Sequence, residues 1–115
     1  MSFSLRFHEK PDGECQVKDY IRSRSKKVRG KAGWLLSRLE NEGNKLERPL
    51  VGFLKDGIYE LRVIVEREQY RILCFFNKEV IVVTNAFLKK GRKVPPDEIE
   101  RAKAARTDWL EREEK

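Results

Sequence analysis

Apolar and polar residues alternate at the start of the chain: Phe3, Leu5 and Phe7 are separated by Ser4, Arg6 and His8, the period of a half-buried strand. Pro11-Asp12-Gly13 closes that run as a turn. The period then becomes helical. Val17, Tyr20 and Ile21 recur at i, i+3 and i+4 within 16–23. Val28, Ala32, Leu35, Leu36 and Leu39 form one stripe over about 25–42, with Gly43 as terminator. Residues 46–55 hold Pro49 and Gly52 and read as a connector that runs into the turn Lys55-Asp56-Gly57. Three strand-like runs follow at about 58–66, 69–77 and 79–88, separated only by Arg67-Glu68 and Asn77-Lys78. Separators so short predict hairpins and an antiparallel meander. Pro95-Pro96-Asp97 opens a last helix. Asp97 and Glu98 suit its first turn, and Ile99, Ala102, Ala105 or Arg106, and Trp109-Leu110 supply its apolar stripe. With no βαβ alternation, the pattern predicts an α+β fold: an N-terminal strand and helix pair packed on an antiparallel sheet, with a C-terminal helix.

The 115 residues suit one domain spanning 1–115, and equal shares of hydrophobic and charged residues, 39% each, describe a globule with a heavily charged surface. The net charge of +7 points to a polyanionic partner, because surplus Lys and Arg release counterions on binding nucleic acid. The acid-free run of Arg22, Arg24, Lys26, Lys27, Arg29 and Lys31 reads first as a solvated helix face and second as an auxiliary RNA or partner contact. Cys15 and Cys74 are expected as buried reduced thiols. No apolar run approaches the roughly 20 residues that span a bilayer, and no signal-peptide pattern opens the chain. A cytoplasmic protein without a membrane partner is expected.

The hairpin register carries the first mechanistic inference. With Arg67-Glu68 as the turn, Glu66 pairs with Gln69 and Arg62 with Leu73. Tyr59, Leu61, Val63 and Val65 then share a face with Tyr70, Ile72, Cys74 and Phe76, which makes that face core. Glu60, Arg62 and Arg71 fall on the opposite face, with the two arginines as diagonal neighbours roughly 7–8 Å apart. Two guanidiniums so placed can bracket one phosphate, unless Glu60 merely pairs with one of them in a surface salt bridge. Lys89, Lys90, Arg92 and Lys93 form a basic cluster after the last strand, suited to a phosphodiester backbone. Tyr59, Tyr70 and Phe87 read as core in preference to base stacking.

No His/Cys/Asp/Glu spacing for a metal, no P-loop, no dinucleotide glycine pattern and no nucleophile elbow occurs, so no cofactor or metal is expected. His8 is the lone histidine and reads as incidental. Acid–base chemistry would fall to Lys, Tyr, Arg or a carboxylate, with Glu60 a candidate base.

Gly43-Asn44, Arg48-Pro49-Leu50, the stretch from Leu54 through Arg62, Tyr70-Arg71 through Phe76, Phe87-Leu88-Lys89-Lys90, and Lys93-Val94-Pro95 through Ala102 resemble, with matching spacing, the RelE/HigB-type toxins of bacterial and phage toxin–antitoxin systems, in their phage-derived HigB-like branch. The resemblance covers roughly 43–106 and is looser over the N-terminal strand and helix pair. It implies a RelE-like α+β domain and a metal-independent endoribonuclease (mRNA interferase) that cuts mRNA, commonly on the ribosome, with the neighbouring 2′-hydroxyl as nucleophile. It further implies an antitoxin partner with a helix-turn-helix DNA-binding domain. Carried over by position, Arg62, Arg71 and Lys89 are the catalytic cations. Lys90, Arg92, Lys93, Glu60 and Asn85 would contact RNA. Asn85 stands where relatives of this branch often have histidine; an amide can hydrogen-bond substrate but carries no proton at neutral pH. A non-catalytic RNA-binding or phage accessory protein that keeps the basic sheet face is the alternative.

Overall fold

The computed structural model describes residues 3–113. In chain order the elements are β1 (Ser4–Phe7), α1 (Gln16–Arg22), α2 (Lys26–Glu42), a 3-10 turn at Gly43–Lys45, β2 (Val51–Lys55), β3 (Ile58–Val65), β4 (Glu68–Asn77), β5 (Val80–Lys89) and α3 (Pro96–Glu113). Ser25 caps α2 by accepting from the Val28 N–H at 3.3 Å, satisfying one donor that a helix start leaves free. The expected stripe of Val28, Ala32, Leu35, Leu36 and Leu39 is buried in full.

The five strands lie in the order β1-β5-β4-β3-β2. β2 to β5 form the expected antiparallel meander, but β1 joins β5 in parallel, with Ser4 opposite Val80, so the sheet is mixed. The segment read as a connector supplies the edge strand β2. Pro49 lies before that strand, and its pairing opposite Leu61, Glu60 and Tyr59 satisfies a backbone that the sequence leaves unpatterned.

The β3–β4 register also differs from the expected one. Glu66-Arg67, not Arg67-Glu68, makes the turn, and Glu66 takes a left-handed φ of 58°. Val65 therefore pairs with Glu68, and Arg62 lies directly opposite Arg71 instead of diagonal to it. The two registers differ by an even step, so every side chain keeps its face.

One face of the sheet, carrying Leu61, Val63, Ile72, Cys74, Ile81, Val83 and Ala86, packs under α1 and α2. On the other, Ile58, Leu73, Phe75, Val82 and Phe87 pack with Val94, Ile99, Ala102 and Trp109 beneath α3. Burial of a Leu- or Phe-sized side chain is worth about 1.5–3 kcal/mol. Of the two alternatives in the α3 stripe, Ala105 is buried, while Arg106 donates to the Asp56 carbonyl at the β2–β3 turn. Both cysteines are buried and reduced, and burial pushes the Cys74 thiol up to about 12. Among the described residues no helix is long and apolar enough to cross a membrane.

Candidate functional site

α3 covers only part of its sheet face. Toward the β3–β4 turn that face remains open, and there Glu60, Arg62 and Ile64 of β3, Gln69 and Arg71 of β4, and Lys89 of β5 line a cavity of about 610 Å³. Pro49 and Lys55 border it from the β2 side. Arg92, Lys93, Val94 and Ile99 close it from the segment that leads into α3. Strand alternation explains the convergence: positions 60, 62 and 64 on β3 and 69 and 71 on β4 repeat with period two on one face.

Glu60 sits at the centre. Its Oε1 accepts from Arg71 Nε at 2.9 Å, and its Oε2 accepts from Arg62 Nη2 at 3.1 Å and Nε at 3.3 Å. The alternative of a surface salt bridge between Glu60 and one arginine is thus replaced by a partly buried cluster with both. Glu60 is 6% exposed and Arg71 5%, so each needs the other: a lone charge at that depth would face a desolvation penalty of several kcal/mol. Arg71 spends its remaining nitrogens on the Tyr70 carbonyl at 3.0 Å and Gln69 Oε1 at 3.1 Å. Arg62 differs, because its side chain is 26% exposed and reaches the cavity. Lys89, Arg92 and Lys93 have no hydrogen-bond or ion-pair partner among the described residues. One carboxylate against six cations, Lys55 included, leaves the cavity strongly positive, a place where anionic oxygens are favoured.

Six of the eight site residues singled out from the sequence therefore share this cavity: Glu60, Arg62, Arg71, Lys89, Arg92 and Lys93. Lys90 is exposed just outside its lining. Asn85 is not brought to it. β5 is irregular opposite Leu73 and Cys74, where Thr84 has no partner in the register. Asn85, 4% exposed, donates from Nδ2 to the Glu98 carbonyl and Oε1 at 3.2 and 2.9 Å and accepts from Thr84. It borders a separate cavity of about 560 Å³ beside His8, Gln16 and Asp108. Gln16, at the start of α1, steadies the same irregularity by bonding both the N–H and the carbonyl of Ala86 at 2.8 Å.

His8 is more than incidental: its Nε2–H donates to Asp108 Oδ2 at 2.8 Å and ties the end of β1 to α3. That bond, with help from Arg112, holds the Asp108 carboxyl below the usual carboxylate range. The Arg22–Lys31 run lies toward the other sheet face. Lys27 meets Glu66 at 3.3 Å, Lys31 donates to the Ile64 carbonyl at 3.0 Å, and Arg24 stacks over Tyr20. Tyr70 is buried, its hydroxyl donating to Glu68, and Phe87 is core; Tyr59 sits edge-on between Phe53 and Phe76. Among the described residues no aromatic ring lines the cation-rich cavity.

Gln69, Lys55 and Pro49, which also line the cavity, were not singled out from the sequence. Gln69 was legible, being two residues before Arg71 on one strand, whereas the others depend on recognising β2. Residues 19–107 match a family model described as "Phage derived protein Gp49-like (DUF891)". No curated protein matches the chain.

Proposed function

Because the chain belongs to the phage-derived Gp49-like family, a toxin-like family of RelE/HigB type, we propose that it is the toxin of a toxin–antitoxin pair and a metal-independent endoribonuclease that cleaves mRNA on the ribosome. The observation that supports this most is the convergence of Arg62, Arg71, Lys89, Arg92 and Lys93 on one cavity of about 610 Å³. In this reading the 2′-oxygen attacks the adjacent phosphorus, its proton passes to water, and the bond from phosphorus to the 5′-oxygen breaks. Arg62, backed by Arg71, stabilises the extra negative charge on the phosphoryl oxygens, where fixed donors in a preset site are most effective. Lys89 delivers a proton to the departing 5′-oxygen or stabilises its charge. Arg92 and Lys93, with Lys90 beside them, hold flanking phosphates. A helix-turn-helix antitoxin is the partner.

A second reading, a non-catalytic RNA-binding or phage accessory protein, is favoured by two observations. Both Glu60 oxygens are taken by guanidiniums, and the Asn85 amide is tied to Glu98 and Thr84. Incubation of purified protein with RNA in EDTA separates the two. Cleavage leaving a 2′,3′-cyclic phosphate or 3′-phosphate supports the enzyme; tight binding without cleavage, on and off ribosomes, supports the binder.

A further inference from the structure

Gly52 pairs with Glu60 across the β2–β3 ladder. A Cβ placed on Gly52 would lie 2.5 Å from Arg62 Nη2, and 3.2 Å from both Arg62 Cζ and Glu60 Oε2. The space that any other residue would fill is therefore occupied by the Arg62 guanidinium. Three further contacts fix that group: Nε and Nη2 donate to Glu60 Oε2, and Nη1 approaches the Pro49 carbonyl at 3.5 Å. Glu60 is itself held by Arg71, which the Tyr70 carbonyl and Gln69 hold in turn. Side-chain exposure rises along this chain of support, from 6% at Arg71 and 8% at Glu60 to 26% at Arg62. Only its last member presents itself well to the cavity.

We infer that Gly52 and Glu60 are positioning residues that seat the Arg62 guanidinium as a preset phosphate clamp, with Arg71 as the buried anchor behind them. The inference rests on reading the cavity as an RNA phosphate site. It assigns Glu60 the work of aiming a guanidinium and not that of accepting the 2′-hydroxyl proton. It also gives a reason for glycine in an edge strand, where a missing side chain otherwise weakens pairing.

The test compares wild type, Gly52→Ala, Arg62→Ala, Arg62→Lys and the Gly52→Ala/Arg62→Ala double variant, each confirmed folded by circular dichroism. The nearest atom to the new methyl is the far end of a flexible side chain, so Gly52→Ala should fold with its arginine displaced. Its Arg62 Nε–H resonance should move and exchange faster with solvent, while that of Arg71 stays in place. Single-turnover cleavage should fall about a hundredfold, as a misplacement of about 1 Å can cause. In the Arg62→Ala background Gly52→Ala should add nothing. Arg62→Lys should be nearly as poor as Arg62→Ala, since an ammonium lacks the planar fork. An unmoved Arg62 resonance, an equal Gly52→Ala loss in both backgrounds, or near wild-type cleavage by Arg62→Lys would overturn the inference. If wild type cleaves no RNA, the endoribonuclease reading fails by itself and binding decides the clamp. Gly52→Ala and Arg62→Ala should then each lower the salt slope of single-stranded RNA binding by about 0.7, the share of one phosphate contact. Slopes equal to wild type would overturn it.

Discussion

Toward α1 and α2, β3 and β4 present Leu61, Val63, Ile72 and Cys74, none more than 2% exposed, and the helices seal them. One residue along in either strand, the side chains turn to the opposite face, where Ile58 and Leu73 sit under α3 and Glu60, Arg62 and Arg71 face the cavity. Both faces bury what they carry near the strand centres, but by different physics. The first loses water from apolar surface. The second keeps Glu60 and Arg71 dry by matching them to each other, so it does not tolerate the loss of either one alone. A functional surface can therefore be as essential to stability as a core.

Glu60→Ala should have the largest effect on folding, about 3–5 kcal/mol, since it leaves a buried Arg71 uncompensated. Urea denaturation checks this. A midpoint like that of wild type would show that the polar face is structurally dispensable and that the contrast between the faces is the ordinary one. Leu61→Ala follows on the apolar face, at about 2–5 kcal/mol from lost burial and a residual cavity. Any RNA cleavage should survive in proportion to the folded fraction, and a disproportionate loss of activity would mean the faces are coupled.

The third test uses pH. Burial raises the Cys74 thiol from its ordinary 9.0 to about 12, so the folded chain holds that proton more tightly than the unfolded one. The stabilisation is complete below the lower value and disappears as pH climbs to the upper one. Between them wild type should lose about 1.4 kcal/mol per pH unit more than Cys74→Ala. Parallel curves would place the thiol in contact with water. The smallest stability effect belongs to Lys89, partly exposed and unpaired among the described residues. Its substitution should change folding by about 0.5 kcal/mol or less. Its chemistry is read separately, in single-turnover rates over roughly pH 5.5 to 9.5. If Lys89 donates a proton, Lys89→Arg and Lys89→Ala are equally poor and the wild-type rate falls at alkaline pH. Near wild-type cleavage by Lys89→Arg would leave only an electrostatic role.

The face assignment of β3 and β4 was legible because period two survives a register error of an even number of residues. Glu66 hid the true turn: it adopts a left-handed φ of 58° without being Gly, Asn or Asp, so nothing in its type announced it. β2 was missed because Pro49 and Gly52 look like loop residues, and only the packed guanidinium gives the glycine its meaning. Asn85 could not be placed from alternation, since the irregularity at Thr84 breaks the count. The burial of Glu60 and Arg71 was equally invisible. Charged residues alternating with apolar ones suggest a wet face, and it takes the Pro49, Gln69 and Val94 surroundings to dry it.

The parallel pairing of Ser4 with Val80 joins residues far apart along the chain, whereas the β3–β4 and β4–β5 hairpins close over two-residue turns. Closing a long loop is entropically expensive and slow, so the hairpins are poised to form early and β1 to add late. At the sheet's edge, β1 is also the strand with least to lose by detaching. In hydrogen exchange its amides should open by local fluctuation, while those of β4, paired on both sides, wait for global unfolding. The strands bearing Glu60, Arg62 and Arg71 thus belong to the most persistent part of the fold, and the N-terminal strand can come and go without dismantling the cavity.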